Sequence, residues 1–446
     1  MTTQLPTAVV LSCHYNGLSI IQELGANGIP CIAMDSTRSI GTFSRFARYV
    51  HCPNPAGAES RFVDFLAKYC AGHKRKPILI PTNDEWAVAL SRHKERLSEV
   101  AIPCIGDWRA VAQVIEKDRF DELARRRSYP VPKTWRPHEI GRLSPDDFPI
   151  VAKPRFRRYA SDGELVTTLQ AMERLRLTVI DDERELARFM TLEKAAIPHL
   201  IFQELVHGAS DHMYTVGMYV DRDCEPRGVF TGRKVRGYPA DIGDCVVGEV
   251  QAIPEALVDL SIKVARDLSL TGIMEFEYKR DSLTGNFRLI EINPRSWSWI
   301  GITPTCGVSL PLLAYQDLAL EHLGPRSPLR ATRSDKSVRY YKIITDYVNS
   351  TVRYKYSHPE WHRTPWSWWK ELRATPDVIM AEFRQADHRV ALVAVVRESR
   401  TLIKQAIGAA GRRIAAKVSA RQASRIARGG PRHRRYARKV DKAMRS

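Results

Sequence analysis

Paired cysteines, a glycine-rich dinucleotide signature and long apolar runs are all missing from this chain of 446 residues. Its eight cysteines (Cys13, Cys31, Cys52, Cys70, Cys104, Cys224, Cys245 and Cys306) are scattered, with no Cys-x-x-Cys pair. That argues against structural zinc and fits a reducing cytosol. Gly-x-Gly-x-x-Gly is absent after the first strand-like segment, Ala8-Val-Val-Leu-Ser12, so no dinucleotide site is expected there. The N-terminus lacks the basic-then-apolar pattern of a secretory leader. The longest apolar stretch, Val390–Val396, is far too short to span a membrane. There is no internal repeat at a fixed period, and no Ser-His-Asp or Cys-His arrangement with convincing spacing. At this length the chain should hold two or three domains and a sizeable core.

Positive charge is in excess, +19 in total, and it is unevenly spread. From Arg400 to Ser446 there are fifteen Lys or Arg and one acid, Asp441, a net +14, whereas residues 1–399 carry only +5. Leu402, Ile403, Ala406, Ile407, Ala410, Ile414 and Val418 recur at helical spacing beside Arg413, Lys417 and Arg421. Such a basic amphipathic helix predicts a surface for anionic lipid or another polyanion; the alternative is a helix packed on its own protein. The Arg-rich end from Arg428 to Arg445 is expected to be disordered when free. Tyr436 is the one aromatic in this tail, so nucleic acid, which needs stacking partners, is a weaker expectation than a membrane. Residues 331–399 hold Trp361, Trp366, Trp368 and Trp369, for which core packing is the default.

The most informative segment is Phe287-Arg-Leu-Ile-Glu-Ile-Asn-Pro-Arg295. As a strand it places Phe287, Leu289, Glu291 and Asn293 on one face, and Pro294 closes it. A carboxylate and an amide oxygen two residues apart form a hard oxygen pair suited to Mg²⁺, which takes few protein ligands plus substrate phosphates. Upstream lies a second strand, Thr271–Tyr278, joined through the turn Asp281–Asn286. That hairpin is expected to set Glu275 beside Glu291, with Glu277 as a weaker third carboxylate. Two carboxylates, an amide and Arg295 around one point suit metal-bound ATP. The bland alternative is a surface hairpin with ordinary charges.

Read back from there, Glu116–Ala124 opens a helix carrying Lys117, and Tyr129–Trp135 is extended. Phe148-Pro-Ile-Val-Ala-Lys-Pro154 is a short apolar strand delivering Lys153 at its end. Leu200-Ile-Phe-Gln-Glu-Leu-Val-His-Gly208 is another, breaking at a glycine. This order resembles the ATP-grasp superfamily over about residues 5–320. With Arg233-Lys-Val-Arg-Gly-Tyr-Pro239 and Glu291-Ile-Asn-Pro-Arg-Ser-Trp297 added, it looks most like the carboxylate–amine ligase group, which includes D-aspartate ligases.

The resemblance implies an α/β chain (α+β in the ATP-binding part): an N-terminal parallel domain, an ATP-grasp fold of two lobes, and a helical basic extension. The boundaries expected are 1–115, 116–203 and 204–330, then 331–399 as an aromatic-rich region and 400–446 as the basic helix and tail. It further implies that Lys117 and Lys153 contact nucleotide phosphates, and that Gln203, Glu204, Leu205 and Val206 hold adenine. By position Asp211 meets the ribose, while Glu275, Glu291 and Asn293 hold Mg²⁺, with Mn²⁺ the alternative ion. Lys234 reaches the β- or γ-phosphate, an arginine of the 233–236 cluster meets a substrate carboxylate, and Arg295 stabilises the acyl phosphate and the later oxyanion. The loop Arg155–Gly163 has one glycine and three arginines, a departure from the family's glycine-rich loop that favours guanidinium contacts to phosphate. In the N-terminal layer, Cys13–Gly17, including His14, and Thr82–Glu85 follow strands and are candidates to meet the substrate carboxylate. The reaction implied is phosphoryl transfer from ATP to a carboxylate followed by attack of an amine, in a cytoplasmic protein whose tail reaches the inner membrane face. The alternative function is a non-catalytic ATP-binding regulatory module.

Overall fold

Ala8-Val-Val-Leu11 has no polar side chain, and all four residues are buried as the central strand of a parallel sheet. In this computed structural model, residues 5–155, 177–240, 243–319, 329–331 and 338–404 are described. The chain divides into two units, Met1–Ala391 and Leu392–Ser446. The loop expected to cover phosphates, from residue 156 onward, and the tail from residue 405 lie outside the described residues.

The first sheet contains β1 (Ala8–Leu11), β2 (Cys31–Asp35), β3 (Ala47–His51), β4 (Ile78–Pro81) and β5 (Ile102–Pro103). Its order is β3-β2-β1-β4-β5, and every pairing is parallel. The chain leaves β1 toward β2 and later returns to the opposite side at β4. The carboxyl ends of β1 and β4 therefore flank a topological switch point, the usual ligand-side crevice of such sheets. Asn16 bonds the carbonyl of Thr82 across this point, and the Thr82 hydroxyl donates to Leu11 O at 3.1 Å.

A small antiparallel sheet follows, built from β6 (Thr134–Trp135), β7 (Ile150–Pro154), β8 (Thr178–Ile180) and β9 (Leu200–Glu204) in the order β6-β9-β7-β8. Ile150, Ala152, Leu200 and Phe202 pack on the helix Glu183–Leu192 through Leu186 and Phe189.

The third sheet has eight strands: β10 (Met213–Val220), β11 (Pro226–Tyr238), β12 (Asp244–Val250), β13 (Gly272–Arg280), β14 (Phe287–Asn293), β15 (Leu329–Ala331), β16 (Val338–Tyr341) and β17 (Asp377–Met380). Their order is β14-β13-β10-β11-β12-β16-β17, with β15 beside β11. One face packs on the helix Glu255–Asp267 through Val216, Met218, Phe276, Tyr278 and Ile292.

The other face carries a trough made of glycine. A Cβ at Gly217 would lie 2.1 Å from the Trp297 ring, one at Gly232 2.6 Å from Trp299, and one at Gly248 2.5 Å from Trp299. Glycine within a strand marks just such a close approach. Phe230 lies between the indoles, with ring centroids 6.0 Å from Trp297 and 5.5 Å from Trp299. Both tryptophans are buried, so the segment leaving β14 is pinned flat on the sheet.

A buried ionic set ties the aromatic region beyond residue 342 to β11. Arg236 donates twice to Asp346, at 2.8 Å each, and once to Glu371 at 2.6 Å. Trp368 Nε1 donates to the same Asp346 at 2.8 Å. Burial opposes the guanidinium charge, but Asp346 and Glu371 outweigh it and hold Arg236 above the ordinary arginine range. All eight cysteines are free thiols and six are buried. Burial pushes Cys31, Cys52, Cys70, Cys104 and Cys245 up to about 12. Among the described residues no helix is long and apolar enough to cross a membrane.

The trough sets a stability expectation. Trp297→Ala should lower unfolding free energy by about 3–5 kcal/mol. Gly217→Val, which forces the ring away, should cost about 1–3 kcal/mol or more. Urea unfolding followed by tryptophan fluorescence and circular dichroism checks both; two variants with wild-type midpoints would remove the trough as a structural determinant.

Candidate active site

β13 and β14 place the acidic residues, two residues out of the register expected from sequence. Glu275 pairs with Asn293, and Glu277, not Glu275, lies opposite Glu291. Directly paired residues of an antiparallel ladder share a face, so Glu275, Glu277, Glu291 and Asn293 all point to the same side. Leu289, expected on that face, is instead buried in the opposite core with Ile292 and Tyr278. A bulge explains both corrections: Glu277 pairs with Glu291 while Tyr278 pairs with Leu289, leaving Ile290 as the extra residue. An extra residue reverses the alternation, and it lets Leu289 and Ile292 both reach the core.

Around these residues the polar contacts are dense. Thr215 of β10 donates to Glu275 Oε1 at 3.0 Å, and Asn293 Nδ2 donates to Glu275 Oε2 at 3.1 Å. Lys234 of β11 reaches across the sheet to Glu277 Oε1 at 2.9 Å. Arg295 has its guanidinium held on three sides: Nε donates to Asp84 at 2.5 Å, Nη2 to Asn293 Oδ1 at 3.1 Å, and Nη1 to Ser296 O at 2.9 Å. Asp84 opens the helix Asp84–Arg92 just past β4, with Asn83 as its cap. The first sheet thus sends a carboxylate into the site of the third.

The electrostatics follow from the packing. Glu275 is 3 % exposed. Burial first, and Glu277 second, push its carboxyl up to about 8, against the downward pull of Lys234 and Arg295. Burial also penalises the Lys234 ammonium, but Glu277 and Glu275 overcome it and hold the group above the ordinary lysine range. The Glu275 carboxyl, held up to about 8, is mostly protonated at neutral pH, and a further cation beside it would favour its charged form. Among the described residues no three His, Cys, Asp or Glu converge tightly enough to hold a metal alone. The donor set, carboxylate plus amide oxygen on one face, nevertheless matches a hard divalent cation that keeps ligands from substrate and water.

The nucleotide-side candidates stand on the small sheet. Lys153 Nζ donates to Gln203 Oε1 at 2.5 Å, and Gln203 Nε2 donates to Thr134 Oγ1 at 2.8 Å. The cross-strand register explains this: Val151 pairs with Gln203 and Lys153 with Ile201, so the two side chains share a face. Glu204 accepts from Lys133 N at 2.9 Å. Leu205 is half-buried and Val206 buried, with His207 N held by Asp281 at 2.9 Å. Asp211 lies in the short turn Ser210–His212, 2.9 Å from the His212 ring nitrogen. Lys117 is the first residue of the helix Lys117–Arg127.

Several expectations resolve differently. Arg233 is bound to Glu249, at 2.6 Å, and Arg236 to Asp346 and Glu371, so in that cluster the Lys234 ammonium, and neither guanidinium, is bonded to the acidic face. Thr82–Glu85, expected to meet a substrate carboxylate, supplies the Arg295 partner Asp84 instead. Thr215 was missed altogether. Its one signal was its place two residues before a strand glycine.

No protein-family model matches the chain. A curated relative, D-aspartate ligase of Enterococcus faecium, is 25% identical over 291 residues, spanning 63% of this chain and 66% of its own length. The chain therefore spans about two-thirds of that relative. Among solved structures, the biotin carboxylase domain of the Hydrogenobacter thermophilus 2-oxoglutarate carboxylase, in complex with MgADP and bicarbonate, aligns with TM-score 0.56 at 16% identity, covering 75% of this chain and 74% of that one. An L-amino acid ligase from Bacillus licheniformis aligns with TM-score 0.53 at 13% identity, covering 75% and 79%. The chain therefore shares the fold of these two solved structures, the ATP-grasp fold that the order of its motifs resembles.

Proposed function

We propose that this protein is an ATP- and Mg²⁺-dependent ligase that activates a small-molecule carboxylate as an acyl phosphate and joins it to an amine, forming a C–N bond. The observation that carries the reading is the single polar face shared by Glu275, Glu277, Glu291, Asn293, Lys234 and Arg295. The likeness to D-aspartate ligase supports it, and makes a dicarboxylic amino acid the first substrate to try. In this reading Lys117, Lys153, Gln203, Glu204, Leu205, Val206 and Asp211 bind the nucleotide, and Glu275, Glu291 and Asn293 hold Mg²⁺. When bound, Mg²⁺ supplies neutralisation of phosphate charge.

The chain's own residues do the positioning. Lys234 is a compact cation fixed on Glu277, ready to exchange that carboxylate for a phosphate oxygen. Arg295 is pre-oriented by Asp84, Asn293 and Ser296, so its donors need no reorganisation as negative charge develops on the acyl group. Lys153 keeps its ammonium near the end of β7, one residue before its last, Pro154, and bonded to Gln203.

The proposal extends to place. A cytoplasmic enzyme with fifteen basic residues from Arg400 onward would be drawn to an anionic membrane face, each basic residue contributing about 1 kcal/mol near that surface.

Three outcomes are expected. Phosphate release from ATP should appear with D-aspartate or another amino acid carboxylate plus an amine; ATP binding without turnover across a broad panel would point to a regulatory module instead. Glu291→Gln should lower kcat by about 100-fold or more while leaving the circular dichroism unchanged, and Asp84→Asn, which frees Arg295, by about tenfold or more. Near-wild-type rates in both would sink the site. Truncation after Ser399 should keep turnover and weaken salt-sensitive binding to anionic vesicles; unaltered vesicle binding, or loss of the fold, would make the tail structural.

A further inference from the structure

The helix Pro365–Ala374 presents two faces of opposite character. Its start is set by Thr364, whose hydroxyl accepts from Ser367 N at 3.1 Å, and by Pro365 in the first turn. Inward, Trp368 is fixed on Asp346, and Glu371 accepts from Arg236 at 2.6 Å and Arg363 at 3.1 Å. Those bonds settle which way the helix is rolled.

Outward stand Trp366, Trp369, Lys370 and Arg373, at the i, i+3, i+4, i+7 spacing of one helical stripe. Trp366 is 62% exposed and Trp369 40%. Their rings stack on each other, centroids 5.0 Å apart and 16° between planes. Lys370 lies 5.4 Å from the Trp366 ring centroid and Arg373 4.8 Å from that of Trp369. The stripe holds two indoles and two cations and no acid. Large aromatics are normally turned inward, and here the inward face is already filled by Trp368. Default core packing therefore accounts for Trp361 and Trp368, which are buried, but not for this pair.

We propose that this outward face is a docking surface for an anionic lipid bilayer. Indole rings favour the headgroup level, where an apolar body meets a wet edge. Lysine and arginine on the same stripe reach lipid phosphates while their stems lie along the rings. Charge complementarity selects anionic over zwitterionic lipid. The surface belongs to the unit Met1–Ala391 and depends neither on the 400–446 tail nor on the ligase reading.

The test uses the full chain and vesicles of phosphatidylglycerol and phosphatidylcholine at low salt, read by co-sedimentation and by quenching of tryptophan fluorescence with brominated lipid. Trp366→Ser with Trp369→Ser should weaken partitioning by about tenfold and remove most of the quenching. Lys370→Gln and Arg373→Gln should each weaken it by about fivefold. Should the serine pair unfold, Trp366→Phe with Trp369→Phe keeps the packing and still must lose the quenching. A full chain with Arg432, Arg434, Arg435 and Arg438 changed to Gln separates the two membrane readings. If the tail alone fails, this chain still shows quenching that depends on Trp366 and Trp369. If binding and quenching are unaltered by the tryptophan substitutions, the docking surface is overturned. It is overturned equally if the substitutions abolish self-association in light scattering while vesicles are ignored, since the occupant is then a second copy.

Discussion

The close approach of two indoles to three glycines is the constraint on which the candidate site depends. Trp297 and Trp299 can lie on the eight-stranded sheet only because Gly217, Gly232 and Gly248 have no side chain. Their seating fixes the chain immediately after Pro294, and so fixes Arg295 relative to Asn293 two residues earlier. Moving the rings would move the guanidinium. Packing here therefore helps set electrostatic geometry, with dispersion and burial of the indoles fixing the backbone that carries a charged group.

The same sheet divides labour along one strand. Lys234 and Arg236 of β11 both end on carboxylates, yet one faces the acidic cluster and the other anchors the aromatic region. Register irregularities between them let two cations so near in sequence serve separate purposes. The cluster itself is poised rather than satisfied. Burial and a second carboxylate hold the Glu275 carboxyl up to about 8 despite Lys234 and Arg295, so it gains its charge at neutral pH only with a further cation. The buried Arg236–Asp346–Glu371 set is the opposite case, a fully bonded network whose members complete one another.

Much of this was legible in the chain. Apolar Ile150-Val-Ala followed by Lys153 announced a short strand with a lysine near its end. The Glu-x-Asn spacing announced a shared face, because strand alternation has period two. The register between β13 and β14 was not legible. A bulge at Ile290 answers to the core's demand for both Leu289 and Ile292, and that demand is tertiary. Asp84 stood out as a residue after a strand, but its partner lies 211 positions away and no local pattern names it. Trp297 and Gly217 were equally unreadable as a pair, although glycine inside a strand is itself a sign that something comes close.

The buried thiols carry a practical consequence for anyone handling the protein. Attack on an electrophile requires thiolate, and a thiol held near 12 has on the order of one molecule in 10⁵ ionised at neutral pH. Five of the eight cysteines are in that condition and buried. Folded molecules are thus nearly silent toward maleimides and disulfide reagents at these positions, while an unfolded chain offers all of them at once. The rate of thiol labelling is in effect a built-in clock for global opening, usable in crude mixtures and without any added probe group.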